Sequence, residues 1–85
     1  MYELVWLPRA RDELLAIAAA TPDSARPLLI WAIGDIDYRL SRRPADEGES
    51  RPGNRRIAFS WPLVVVYEVD DVAHRVRIGH AWTHN

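Results

Sequence analysis

The segment "LVVVY", Leu63 to Tyr67, is an unbroken apolar run in a chain of 85 residues. A rim strand of so small a domain wets one face and alternates polar with apolar, so a run without alternation needs cover on both sides. That places it inside a sheet with neighbours at both edges. A chain of this length builds one modest core. Every other element must therefore be arranged around this strand, and residues 1–85 are expected to form a single domain with one site.

The neighbours are close in sequence. "RRIAFS", "LVVVYEV" and "AHRVRIGHAW" are three extended runs separated by "WP" and "DD", the pattern of consecutive strands joined by hairpins. In the last run Val76 and Ile78 face one way, Arg75 and Arg77 the other. His80 shares the parity of Val76 and Ile78 unless a bulge intervenes, which puts it at the edge of the core. Upstream, "YELVWL" predicts a first strand over residues 2–7, ended by Pro8.

Between them lie two helical patterns. Ala10, Leu14, Ile17 and Ala18 repeat at helical spacing up to about Ala20, where "TPDS" supplies turn chemistry. A second helix starts at about Ser24, carries Pro27 in its first turn and presents Leu29, Ile33, Ile36 and Leu40 on one side. Arg26, Asp35, Asp37 and Arg39 are then expected in water. "SRRPADEGESRPGN" is rich in Pro, Gly and charge and reads as the loop from helices to sheet. The fold class is α+β: an N-terminal strand, an α-helical hairpin and a three-stranded antiparallel meander. The helices cover one face of the sheet, with further apolar cover on the other.

Composition narrows the chemistry. There is no cysteine, so disulfides and thiolate chemistry are excluded, consistent with a reducing compartment. "MYELVWLPRARDE" lacks the features of a signal peptide, and no stretch reaches the roughly 18 apolar residues of a membrane span; a cytoplasmic protein is expected. No histidine or carboxylate set has metal-ligand spacing, so neither metal nor cofactor is expected. Formal net charge is -1, yet all 11 basic residues are arginine. Arg39, Arg42, Arg43, Arg51, Arg55 and Arg56 crowd one window, interrupted by Asp46, Glu47 and Glu49. Trp6, Trp31, Trp61 and Trp82 suit core and interface packing, or stacking on bases. Trp61, in the turn "SWPL", has little core to enter and reads as a partner or target contact.

The order strand, two helices, meander, with "RPGNRRIAFSWPLVVVYEVDD" and then "VRIGHAW", resembles the RelE/ParE superfamily of toxins from type II toxin–antitoxin systems. The resemblance spans nearly the whole chain. It implies a helix hairpin on one face of a small twisted sheet and a cognate antitoxin wrapped over the surface. It also implies one of two targets: ribosome-bound mRNA, which RelE-like members cut, or DNA gyrase, which ParE-like members inhibit.

Cleavage by 2′-hydroxyl attack needs a proton acceptor, positive charge on the phosphorane and protection of the leaving oxygen. An arginine fork matches phosphate oxygens in two places at once. Arg55 and Arg56 fall where RelE-like toxins place basic residues, and strand alternation sends one to each face; Arg56 is taken toward the site. His84 is a candidate acid or base. Arg42, Arg43, Arg51, Arg77, Trp61 and His80 are candidate contacts to RNA or another target. The chain departs from the nuclease pattern in two places. Val64 or Val65 stands where a third-strand arginine is usual, and no terminal tyrosine follows His84.

Overall fold

A computed structural model describes residues 1–84. The elements run β1 (Glu3–Trp6), α1 (Pro8–Ala20), a 3₁₀ turn (Asp23–Ala25), α2 (Arg26–Arg42), β2 (Glu49–Arg51), β3 (Arg55–Ser60), β4 (Leu63–Asp70) and β5 (Arg75–Thr83). They form one five-stranded sheet ordered β1-β5-β4-β3-β2. The unbroken apolar run thus lies on the middle strand. β3, β4 and β5 pair antiparallel in chain order, whereas β1 joins the far edge parallel to β5.

Both helices pack on one face of the sheet, α1 mainly on β5 and α2 mainly on β3. Ala32, Ile36 and Leu40 of α2 are completely buried against Ala58, Leu63, Val65, Tyr67, Val76 and Ile78, with Ala10, Leu14 and Ile17 of α1 alongside. This is the apolar stripe the helical spacing predicts. The expectation of a wet Arg39 is corrected. Its Nε donates to Glu47 Oε1 at 2.8 Å, and its Nη1 to Asp35 Oδ2 at 2.8 Å and to the Phe59 carbonyl at 2.9 Å. It fastens α2 to the β2 side of the sheet.

Among the described residues the opposite face is covered by no helix. Val64 is nonetheless only 1% exposed, because its cross-strand neighbours Phe59 and Trp82 flank it on either side. The further apolar cover expected there comes from the sheet itself.

The loop expected over residues 41–54 contains β2, a three-residue strand exposed along its whole length. Periodicity does not detect it because "ESR" has no apolar member. Tyr67 and Arg56 tie this segment down from the covered face. The Tyr67 hydroxyl lies 2.8 Å from the Pro44 carbonyl and 2.7 Å from that of Glu47, and Arg56 reaches the Glu47 and Gly48 carbonyls at 2.9 and 3.3 Å. Gly48, at φ 65°, comes so close to β3 that a Cβ would collide with the Ile57 carbonyl oxygen. Only glycine fits there.

Candidate functional site

A single irregularity decides which side chains meet on the open face. β4 and β5 pair with Val66 opposite His80 and Tyr67 opposite Ile78, so Gly79 is an extra residue on β5. Such a bulge reverses the alternation beyond it. His80 therefore does not share the side of Val76 and Ile78, as unbroken parity predicts. It turns to the side of Arg77, while Ala81 enters the core at 3% exposure.

The open face then reads as three cross-strand rows. Arg55, Glu68 and Arg77 form one; Ile57, Val66 and His80 the next; Phe59, Val64 and Trp82 the third. At the first two rows a depression of about 380 Å³ is lined by Arg9, Arg55, Glu68, Arg77, Gly79 and His80, with Leu7 and Pro8 on its rim. Pro8 starts α1 without any side-chain cap, so the positive end of the helix dipole also borders it.

The arginines there differ in freedom. Arg77 Nη2 bonds Asp70 Oδ2 at 2.9 Å, and Arg9 Nε lies 3.8 Å from Glu13 Oε2. Arg55 is paired through its backbone in the ladder, and among the described residues its guanidinium makes no ion pair or hydrogen bond, leaving its five donors for a ligand. His80 Nδ1 is 3.6 Å from Glu13 Oε1, the oxygen that also accepts the Ala81 backbone N–H at 3.1 Å. Glu13 thus lies beside the imidazole and fixes the backbone of the next residue from the adjoining helix. Asp70 is held below the ordinary carboxylate range by the Ala73 backbone N–H and by Arg77. It stays ionised and anchors Arg77 near neutral pH.

Arg56 departs from its expected side. Its neighbour Ile57 and its partner register put it on the covered face, where Nη1 bonds Ser50 Oγ at 2.8 Å and Nε the Glu47 carbonyl. Strand alternation does send one of the two arginines to each face, but the one at the depression is Arg55. His84 lies at the other end of the sheet, edge-on to Trp61 at 5.7 Å, and its backbone N–H bonds the Pro62 carbonyl. Trp61 itself is 57% exposed. Arg42 stacks on Tyr38 with its guanidinium 4.2 Å from the ring centre. Arg51 bonds the Ser50 carbonyl and Glu49, and Arg43 caps α2. None of Arg42, Arg43 and Arg51 lines the depression.

Arg9, Glu13 and Glu68 escape a reading by motif. Arg9 follows the strand-ending Pro8, and Glu68 shares strand parity with Val64 and Val66, so both signals were present in the chain. Among the described residues no group of three His, Cys, Asp or Glu could hold a metal ion, and no helix is long and apolar enough to cross a membrane.

A scan against models of protein families and a search of curated proteins give no match to the chain. Solved structures do match. A chain of the toxin–antitoxin complex RelBE2 from Mycobacterium tuberculosis is 22% identical, with 98% of each chain covered and a TM-score of 0.75. A chain of the chromosomal ParDE system from P. aeruginosa is 17% identical over 100% of this chain and 98% of that one, with a TM-score of 0.74. A chain of the intact E. coli RelBE complex is also 17% identical, covering 100% and 99%, with a TM-score of 0.58. The chain has the α+β fold of the RelE/ParE-like toxins.

Proposed function

We propose that the protein is the toxin of a type II toxin–antitoxin pair, held inactive by a cognate antitoxin, and that it cuts ribosome-bound mRNA at the open face. The fold supports the first part, since its structural neighbours come from toxin–antitoxin complexes. The observation that carries the second is the Gly79 bulge, which gathers His80 with Arg55 and Arg77 in one depression.

In this reading Arg55 and Arg77 bind the scissile phosphate, and their charge stabilises the phosphorane as the 2′-oxygen attacks. His80, beside Glu13, takes the 2′-hydroxyl proton as general base. The P–O5′ bond breaks, leaving a 2′,3′-cyclic phosphate and a 5′-hydroxyl protonated from solvent. Arg9 and the uncapped start of α1 add positive potential at the rim.

A second reading, inhibition of DNA gyrase, draws support from Ile30, Trp31 and Tyr38, which α2 exposes to water and which suit a protein surface better than a nucleic acid. Primer extension on translated mRNA after induction separates the two. Cuts within codons that vanish in Arg55→Ala and Arg77→Ala support the nuclease. Intact transcripts with accumulating gyrase-cleaved DNA contradict it.

A further inference from the structure

The third row of the open face has no part in the chemistry proposed above. Phe59 and Trp82 are 48% and 41% exposed although each belongs to a sheet strand, and they flank the sealed Val64. Half-exposed aromatic rings on a sheet face without a covering layer leave apolar surface in water. Arg55 and Phe59 are four residues apart on one strand, about 13 Å. Between them Ile57 is 9% exposed, a low apolar floor without a projecting charge. The face therefore grades from free guanidinium at one end to flat rings at the other, the combination used by proteins that hold single-stranded RNA by backbone and base at once.

We propose that Phe59 and Trp82 form a stacking platform for one unpaired base of the RNA whose backbone is held at Arg55 and Arg77. This rests on the reading of the chain as an RNA-cutting toxin and adds to it which part of the strand is read. The 13 Å offset separates the stacked base from the scissile phosphate by at least one nucleotide. Stacking favours the larger purine rings, so the platform imposes a purine preference at a fixed distance from the cut.

The test is fluorescence anisotropy of a 5′-labelled hexamer of adenosine, and of the same hexamer with one abasic position moved along it, at several salt concentrations. Trp82→Leu is expected to weaken binding of the intact hexamer about tenfold with its salt slope unchanged, whereas Trp82→Tyr keeps most of the affinity. Arg55→Ala is expected to lower the salt slope by about one. At one abasic position the Trp82→Leu and wild-type proteins are expected to bind equally. Thermal melting checks that each variant is folded, and Trp82→Tyr separates stacking from mere cover of Val64. If Trp82→Leu and Phe59→Leu bind like wild type while Arg55→Ala weakens binding, the platform is overturned and the RNA reading stands. If the wild-type protein binds no hexamer at any salt concentration, the platform is overturned, and primer extension on translated mRNA decides the RNA-cutting reading by itself.

Discussion

The two faces of the sheet are made by the same strands, yet they spend their polar groups in opposite ways. On the helix-covered face the long polar side chains are used within the molecule: Arg56 on the Glu47 and Gly48 carbonyls and Ser50, Tyr67 against two carbonyls, Arg39 on Asp35, Glu47 and Phe59; among the described residues the buried Ser60 hydroxyl is the exception, with no partner. On the open face the Arg55 guanidinium is spent on nothing among the described residues, and the rings of Phe59 and Trp82 stay half wet. Burial forces satisfaction of polar groups on one side. Solvent permits them to wait for a ligand on the other. The lesson is that arginine count alone says little about function here; what matters is which face each guanidinium is sent to.

The comparison breaks if the covered face does not carry the stability. Ile36→Ala opens a hole in a side chain with no exposed surface and is expected to cost about 2–5 kcal/mol. At about 4–8 °C per kcal/mol for a domain of this size, that removes much of the melting transition. A drop of only a degree or two by differential scanning calorimetry would contradict the packing described. Tyr67→Phe keeps the ring and strands the Pro44 carbonyl, while Glu47 keeps its bond from Arg56, with an expected loss of about 1–3 kcal/mol. Hydrogen exchange should then quicken over residues 44–51 before it does in α1, since those residues are what the hydroxyl holds.

A smaller effect sharpens the same contrast through pH. Burial alone would push Asp35 upward, but the hydrogen bond and the charge of Arg39 hold it below the ordinary 3.8. A carboxylate lowered in the folded state stabilises it above the unfolded value, and the gain is lost as pH falls through the folded value. Urea midpoints are thus expected to be flat above about pH 5 and to decline below about pH 4. In Arg39→Ala the decline should be shallower. An unchanged acid profile in that variant would place the acid sensitivity elsewhere.

Much of the covered face was legible in the chain. Leu63 to Tyr67 has no alternation, so it had to be central, and Leu29, Ile36 and Leu40 repeat at helical spacing and are buried. The open face was less legible because its composition depends on register. Arg55 and Arg56 are adjacent and identical, and only the burial of Ala58, two residues on from Arg56, assigns the latter to the covered side. His80 follows a two-residue period to the wrong face; Gly79, a glycine inside a strand, was the one sign that the period breaks. Arg39 with Asp35 is a visible four-residue helical pair, but its link to Glu47 closes through a loop that no local pattern fixes.

Because Arg55 and Arg56 differ in nothing but the face they occupy, they provide the most direct test. Each is changed to alanine, and both melting temperature and cleavage of translated mRNA are measured on the induced protein. The account predicts that Arg55→Ala melts within about 0.5 kcal/mol of wild type and no longer cuts, whereas Arg56→Ala melts lower and still cuts in proportion to the folded protein present. The opposite pattern, with cleavage lost only from a fully stable Arg56→Ala, would move the site to the covered side and contradict it.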